Sequence, residues 1–235
     1  QDVNLLEFTA RCNARHMTVL PGVHWESESY ESSLERCSQE LAWRYEQARQ
    51  VGVVFSVEAH LGSVVPTPKQ ARQLLKMTAG LSLTLDYGHF TYQGISDRTV
   101  EPLVKHASHF HARGGCKGRL QASFTENTID FKRVLQAMKR ANYTGYVGVE
   151  YVWIDWERCN EVDNLSETIL LRDFIIASTK SSIGMAASSS TLDTPAVAIR
   201  SFASGVARRG VKPASDIEPD CAMARWNSPL ACSIP

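Results

Sequence analysis

Four segments of this chain run as short apolar strands and then stop on an acid or a histidine, and that recurrence restricts the fold more than any other feature. Residues 81–90 are the clearest case: Leu-Ser-Leu-Thr-Leu alternates with the two-residue period of a strand and breaks off at Asp86, Gly88 and His89. Residues 53–60 end in Val-Glu-Ala-His, residues 108–115 run His-Phe-His-Ala-Arg-Gly-Gly after Ser108, and residues 146–153 carry Val-Glu-Tyr-Val-Trp. A single Asp or His closing a strand is most often a turn former or a satisfied, partly buried side chain. Four in succession mean more, because parallel strands joined by helices bring their C-terminal ends to one face, where the active sites of such folds lie.

The intervening sequence supplies the helices. Residues 2–16 have a partly helical pattern and feed a strand at 17–21, closed by Pro21 and Gly22. Residues 32–51 place Leu34, Cys37, Leu41, Tyr45 and Ala48 at three- and four-residue steps, an amphipathic helix ended by Gly52. After the strand at 53–57, Thr67 is an N-cap with Pro68 in the first helical position, and the helix continues through 71–77. A strand at 81–85, a helix at 97–106, a strand at 108–112, a helix at 130–141, a strand at 146–152 and a helix at 165–177 follow. This rhythm of right-handed βαβ units predicts an α/β fold with a parallel sheet, a (β/α) TIM-barrel type of about five units. A doubly wound sheet is the alternative, but neither GxGxxG nor GxxxxGK follows the first strand.

The chain has 235 residues, enough for one large α/β domain, with the barrel-type domain expected over 1–179. Residues 180–235, opening on a Ser- and Ala-rich linker, read as a low-complexity tail without assignable chemistry, leaving room for a short helix at 195–209. Lys plus Arg and Asp plus Glu number 25 each, so no basic field favours nucleic acid, and a small molecule is the expected partner. The six cysteines contain no CxxC pair and suit a reducing compartment. No run approaches the ~18 apolar residues of a membrane span, so the expected setting is cytoplasmic, without a membrane partner. A homo-oligomer is left open.

Glu58, Asp86, His111 and Glu150, each at the end of a different strand, make a set of three carboxylates and one imidazole. Such a shell suits Mn²⁺, Mg²⁺ or Co²⁺ better than a structural zinc, although Zn²⁺ is allowed. His60 lies two residues after Glu58 on the same side of an extended chain, and His89, three after Asp86, is placed to reach a substrate hydroxyl. His109 shares a strand face with His111, as a packed or a ligand-orienting residue. Arg113, Lys117 and Arg119 lie in a Gly-rich loop that is either a grip on substrate or a solvated basic loop. Trp25, Phe90, Trp153 and Trp156 either wall a pocket or pack.

The pieces Val57-Glu58-Ala59-His60, Leu85-Asp86-Tyr87-Gly88-His89, Phe110-His111-Ala112-Arg113 and Val149-Glu150, with 25 residues separating Asp86 from His111, resemble the xylose-isomerase-like TIM-barrel superfamily of sugar-phosphate isomerases and epimerases. The resemblance covers roughly residues 17–178. It implies that the five strands correspond to the last five of an eight-stranded barrel, the first three βα units being absent. It implies a carbohydrate substrate and metal-dependent proton transfer through an enediolate on a ketose or hydroxy-keto acid. Glu58 and Glu150 are then the catalytic acid/base pair as well as metal ligands, with His60, His89 and Arg113 as substrate-binding residues. Three alternatives are an inosose-type dehydratase, a non-catalytic barrel fragment that keeps its ligands, and a DNA-repair endonuclease of the same superfamily. The last requires a three-metal cluster and a basic groove, against which the balanced charge argues.

Overall fold

The computed structural model describes residues 2–184, with side chains for 5–179. Five parallel strands pair in chain order, β1 (His16–Val19), β2 (Val54–Glu58), β3 (Ser82–Asp86), β4 (Ala107–Ala112) and β5 (Val147–Val149). Helices α1 (Asp2–Arg11), α2 (Tyr30–Gln50), α3 (Pro68–Met77), α4 (Gly88–Tyr92), α5 (Asp97–Val100), α6 (Phe131–Arg140) and α7 (Asn164–Gly184) intervene. Sequential order with every connection a crossover makes this a half-barrel of the TIM type.

Alternation along the strands explains its two faces. Phe55, Val57, Leu83, Leu85, Phe110 and Val149 are buried in one hydrophobic core with Leu34 and Leu41 of α2, Leu74 of α3 and Val134 of α6. Fully burying one such side chain is worth about 1.5–3 kcal/mol, so this face dominates the stability of the sheet. The opposite, concave face is polar. Thr84 Oγ1 lies 2.7 Å from Thr18 Oγ1 and 2.6 Å from Ser56 Oγ, and Ser108 Oγ lies 2.7 Å from Ser82 Oγ and 2.9 Å from His16 Nε2. A register shift in the β3–β4 ladder, where Leu83 faces Ala107 but Thr84 faces His109, inserts Ser108 as an extra residue. Asp86 and His111 are thereby aligned across the ladder at the C-terminal end.

Several expected elements differ in extent. The helix expected over 97–106 is α5 followed by a 3-10 helix, Glu101–His106, because Pro102 has no N–H to continue an α-helical ladder. The strand expected over 146–152 is only Val147–Val149, although the Glu150 N–H still bonds the Ala112 carbonyl at 2.9 Å. Helix α4 was not foreshadowed; it starts where Asp86 Oδ1 accepts the Gly88 N–H at 2.7 Å. Thr67 caps α3 as expected, accepting the Gln70 N–H. Helix α7 continues to Gly184, and the expected tail beyond it, with its short helix at 195–209, lies outside the described residues. Cys12, Cys37, Cys116 and Cys159 are free thiols, and among the described residues no helix is long and apolar enough to cross a membrane.

Candidate metal centre

The strand tips converge. Glu58 closes β2, Asp86 closes β3, His111 is the penultimate residue of β4, and Glu150 follows β5. Glu58, Asp86 and His111 are buried, and the Glu150 side chain is 11% exposed. His111 Nδ1 lies 2.9 Å from Glu58 Oε1 and 3.2 Å from Glu150 Oε2. Asp86 belongs to a second group with His89, whose Nε2 is 3.7 Å from both Glu58 Oε1 and Asp86 Oδ2. Two triads therefore share Glu58: Glu58, His111 and Glu150, and Glu58, Asp86 and His89, with the ligand atoms of each triad within 4.8 Å of one another. The four expected ligands do not form one such cluster, since Asp86 groups with His89 rather than with His111 and Glu150.

The donor chemistry fits a hard divalent ion. His111 Nδ1 faces two carboxylates, which can share its N–H or, once that proton is lost, gather with the nitrogen round a cation. Asp86 Oδ2 is a buried carboxylate oxygen without a hydrogen bond. Oxygen predominance with one or two imidazoles suits Mg²⁺, Mn²⁺ or Co²⁺. Burial pushes the Glu58 carboxyl up, but the His111 ring beside it outweighs burial and holds the group well below the usual carboxylate range, so it stays ionised. His60 is lowered, first by burial and then by His89, on which its ring stacks at 3.9 Å.

Other residues singled out in the sequence sort differently. Arg113 is 3% exposed at the end of β4, not on a solvated loop, with Nε 3.2 Å from Asp86 Oδ2 and Nη2 3.3 Å from His89 Nε2. The Gly-rich loop that follows is pinned: the Gly118 N–H bonds the Tyr92 carbonyl and the Ala122 N–H the Gly114 carbonyl. Lys117 is exposed, and Arg119 pairs with Glu126 at 2.7 Å, the bland alternative for this loop. Phe90 is core, whereas Trp25, Trp153 and Trp156 are exposed. Trp156 borders a cavity of about 150 Å³ with Leu61, Tyr92, Arg119 and Gln121, and none of the carboxylates of the centre lines it. Gln121, not anticipated, is fully buried and ties the segment after β5 through the Val152 N–H and the Cys159 carbonyl. A lone Gln in a loop carries no periodic signal that would have marked it.

The family model described as xylose isomerase-like TIM barrel matches residues 3–172. The chain belongs to this family. A D-tagatose 3-epimerase-like protein superposes with a TM-score of 0.61 at 22% identity, covering 77% of this chain and 69% of that one. A xylose isomerase-like TIM barrel protein from Mycobacterium smegmatis in complex with magnesium gives 0.59 at 12% identity, with 77% and 66% covered. D-psicose 3-epimerase from Clostridium cellulolyticum H10, solved with D-tagatose, gives 0.56 at 15% identity, with 78% and 68% covered. The chain thus spans about two thirds of the length of these xylose isomerase-like barrels, and at these identities the likeness is one of fold. No curated protein matches the sequence.

Proposed function

We propose that residues 1–179 form the site-bearing domain of a divalent-metal-dependent sugar or sugar-phosphate isomerase or epimerase, which moves a proton next to a carbonyl of a ketose or hydroxy-keto acid. The observation that carries this reading is the pair Glu58 and Glu150, brought by separate strand tips to 2.9 and 3.2 Å from one His111 nitrogen. Two carboxylates that face each other across one point provide a base for each side of a carbon centre held between them. Membership of a family that includes sugar epimerases supports the substrate class.

Glu58, His111 and Glu150 would hold the ion, with Asp86 joining from the neighbouring tip of β3; Mn²⁺, Mg²⁺, Co²⁺ and Zn²⁺ all suit such donors. When bound, the ion supplies Lewis-acid polarisation of neighbouring substrate oxygens and stabilises negative charge of an enediolate. Glu58 and Glu150 remove and return the carbon-bound proton. His89 and the stacked His60 orient substrate hydroxyls beside them, and Arg113 acts on substrate through His89.

Solvent exchange tests the reading. With Mn²⁺ and a ketose in heavy water, deuterium should enter a carbon-bound position of substrate or product. Glu150→Gln should lower turnover by more than the ~10²- to 10⁴-fold expected of a lost base, because a ligand is lost too. Isomerisation without deuterium uptake would remove both glutamates from acid/base work.

A further inference from the structure

Two metal-capable triads that share a carboxylate are the arrangement of a dinuclear centre, in which a bridging group holds ions about 3.5–4 Å apart. The second triad, Glu58, Asp86 and His89, contains a cation of its own. Arg113 is 3% exposed, its Nε is 3.2 Å from Asp86 Oδ2, and its Nη2 is 3.3 Å from His89 Nε2. We propose that the Arg113 guanidinium takes the place of a second metal ion, making this a one-ion centre, and holds His89 as the Nδ1–H tautomer. The inference rests on the metal-centre reading above.

Lone-pair accounting carries the argument. Arginine only donates, and Nη2 is 3.3 Å from His89 Nε2 while the Glu58 and Asp86 oxygens stand 3.7 Å from that nitrogen, beyond hydrogen-bond reach; Nε2 is then the acceptor, and an imidazole nitrogen has one lone pair to give. His89 is therefore unavailable to an ion while the guanidinium is in place. Asp86 is not closed in the same way. Each carboxylate oxygen has two lone pairs, and the Arg113 Nε–H is close to Oδ2 without being aimed at it, so neither atom makes a hydrogen bond. Asp86 can thus serve an ion beside Arg113, and His89 cannot.

Charge counting agrees. Three carboxylates and one guanidinium give a net charge of −2 when the imidazoles are neutral. One divalent ion brings the cluster to zero; a second would leave two uncompensated positive charges in a buried site, where unpaired charge is costly. The tautomer has its own consequence. His89 Nδ1, buried and without a partner, becomes a fixed N–H donor, the form needed to hold a substrate oxygen.

Manganese titration of the full chain, read by calorimetry and by electron paramagnetic resonance, tests this without any turnover. Wild type should bind one ion and give the six-line spectrum of isolated Mn²⁺. Arg113→Ala should double the stoichiometry and give the multiline signal of an exchange-coupled pair, whereas Arg113→Lys, which keeps a cation there, should remain at one. Two coupled ions in wild type, or one ion with unchanged affinity and spectrum in a folded Arg113→Ala, would overturn the inference and leave the metal centre standing. No ion in wild type would overturn both. If Arg113→Ala does not fold, as circular dichroism would report, the wild-type and Arg113→Lys counts decide.

Discussion

A methyl group added at Gly114 would sit 2.6 Å from the Ala122 carbonyl oxygen and 2.7 Å from Tyr151 Oη, closer than any carbon tolerates. Tyr151 Oη accepts the Gly114 N–H at 2.9 Å, so the neighbour cannot simply step back. Gly114→Ala should cost about 1–3 kcal/mol, the range for overpacking, as a lower urea midpoint with an unchanged slope. No loss would mean that the β4 loop yields more easily than its bonds imply. The position also shows what sequence could and could not say about single residues. That Glu58, Asp86, His111 and Glu150 sit at strand tips was legible because each ends a run of strand period. The setting of Arg113 was not: the two glycines after it made it look like solvated loop, whereas it lies just past the last ladder residue, Ala112, buried against Asp86.

At the level of elements, the alternation of strands and helices was legible throughout, since the apolar period changes from two to three or four at each boundary. Extents were less so. Strand β5 ends after Val149, and the chain beyond it is held by a side chain rather than by a ladder. Gln121 Oε1 accepts the Val152 N–H at 2.9 Å, and Nε2 donates to the Cys159 carbonyl at 2.6 Å. Gln121→Leu keeps much of the volume and removes these bonds, leaving two backbone groups unsatisfied at about 1–3 kcal/mol each. Amide exchange should then rise across residues 152–164 and stay unchanged in β2 and β3. Uniform acceleration across the sheet would show that Gln121 supports the whole fold, not this segment.

For the molecule as a whole, the half-barrel has an apolar convex face under its helices and a concave face of hydroxyls, imidazoles and carboxylates, so its stability should depend strongly on pH. Below the metal centre, His16 and His109 face each other at 5.0 Å, with Ser108 on His16 and His111 and Glu58 beyond His109. Burial first, and then the His111 charge, lowers His16 to about 4; burial, then His111 and His16, lowers His109 to about 3, against a weaker opposing pull from Glu58. In the unfolded chain both titrate near the ordinary value of 6.5. Between that value and about 4 the unfolded state binds protons that the native state refuses, so stability rises with pH and is lost on acidification. The slope is at most about 1.4 kcal/mol per pH unit for each histidine. Glu58, held low in the fold, adds loss of the same sign once the pH falls below its unfolded value of about 4.5. Urea midpoints measured in EDTA, which removes the separate pH dependence of metal binding, should therefore fall steadily from about pH 7 to about pH 5, and His16→Gln should make that fall shallower without abolishing it, since His109 and His60 are lowered too. A midpoint flat over that interval would mean that the imidazoles are protonated in the native state, with the concave face solvated well enough to carry their charge.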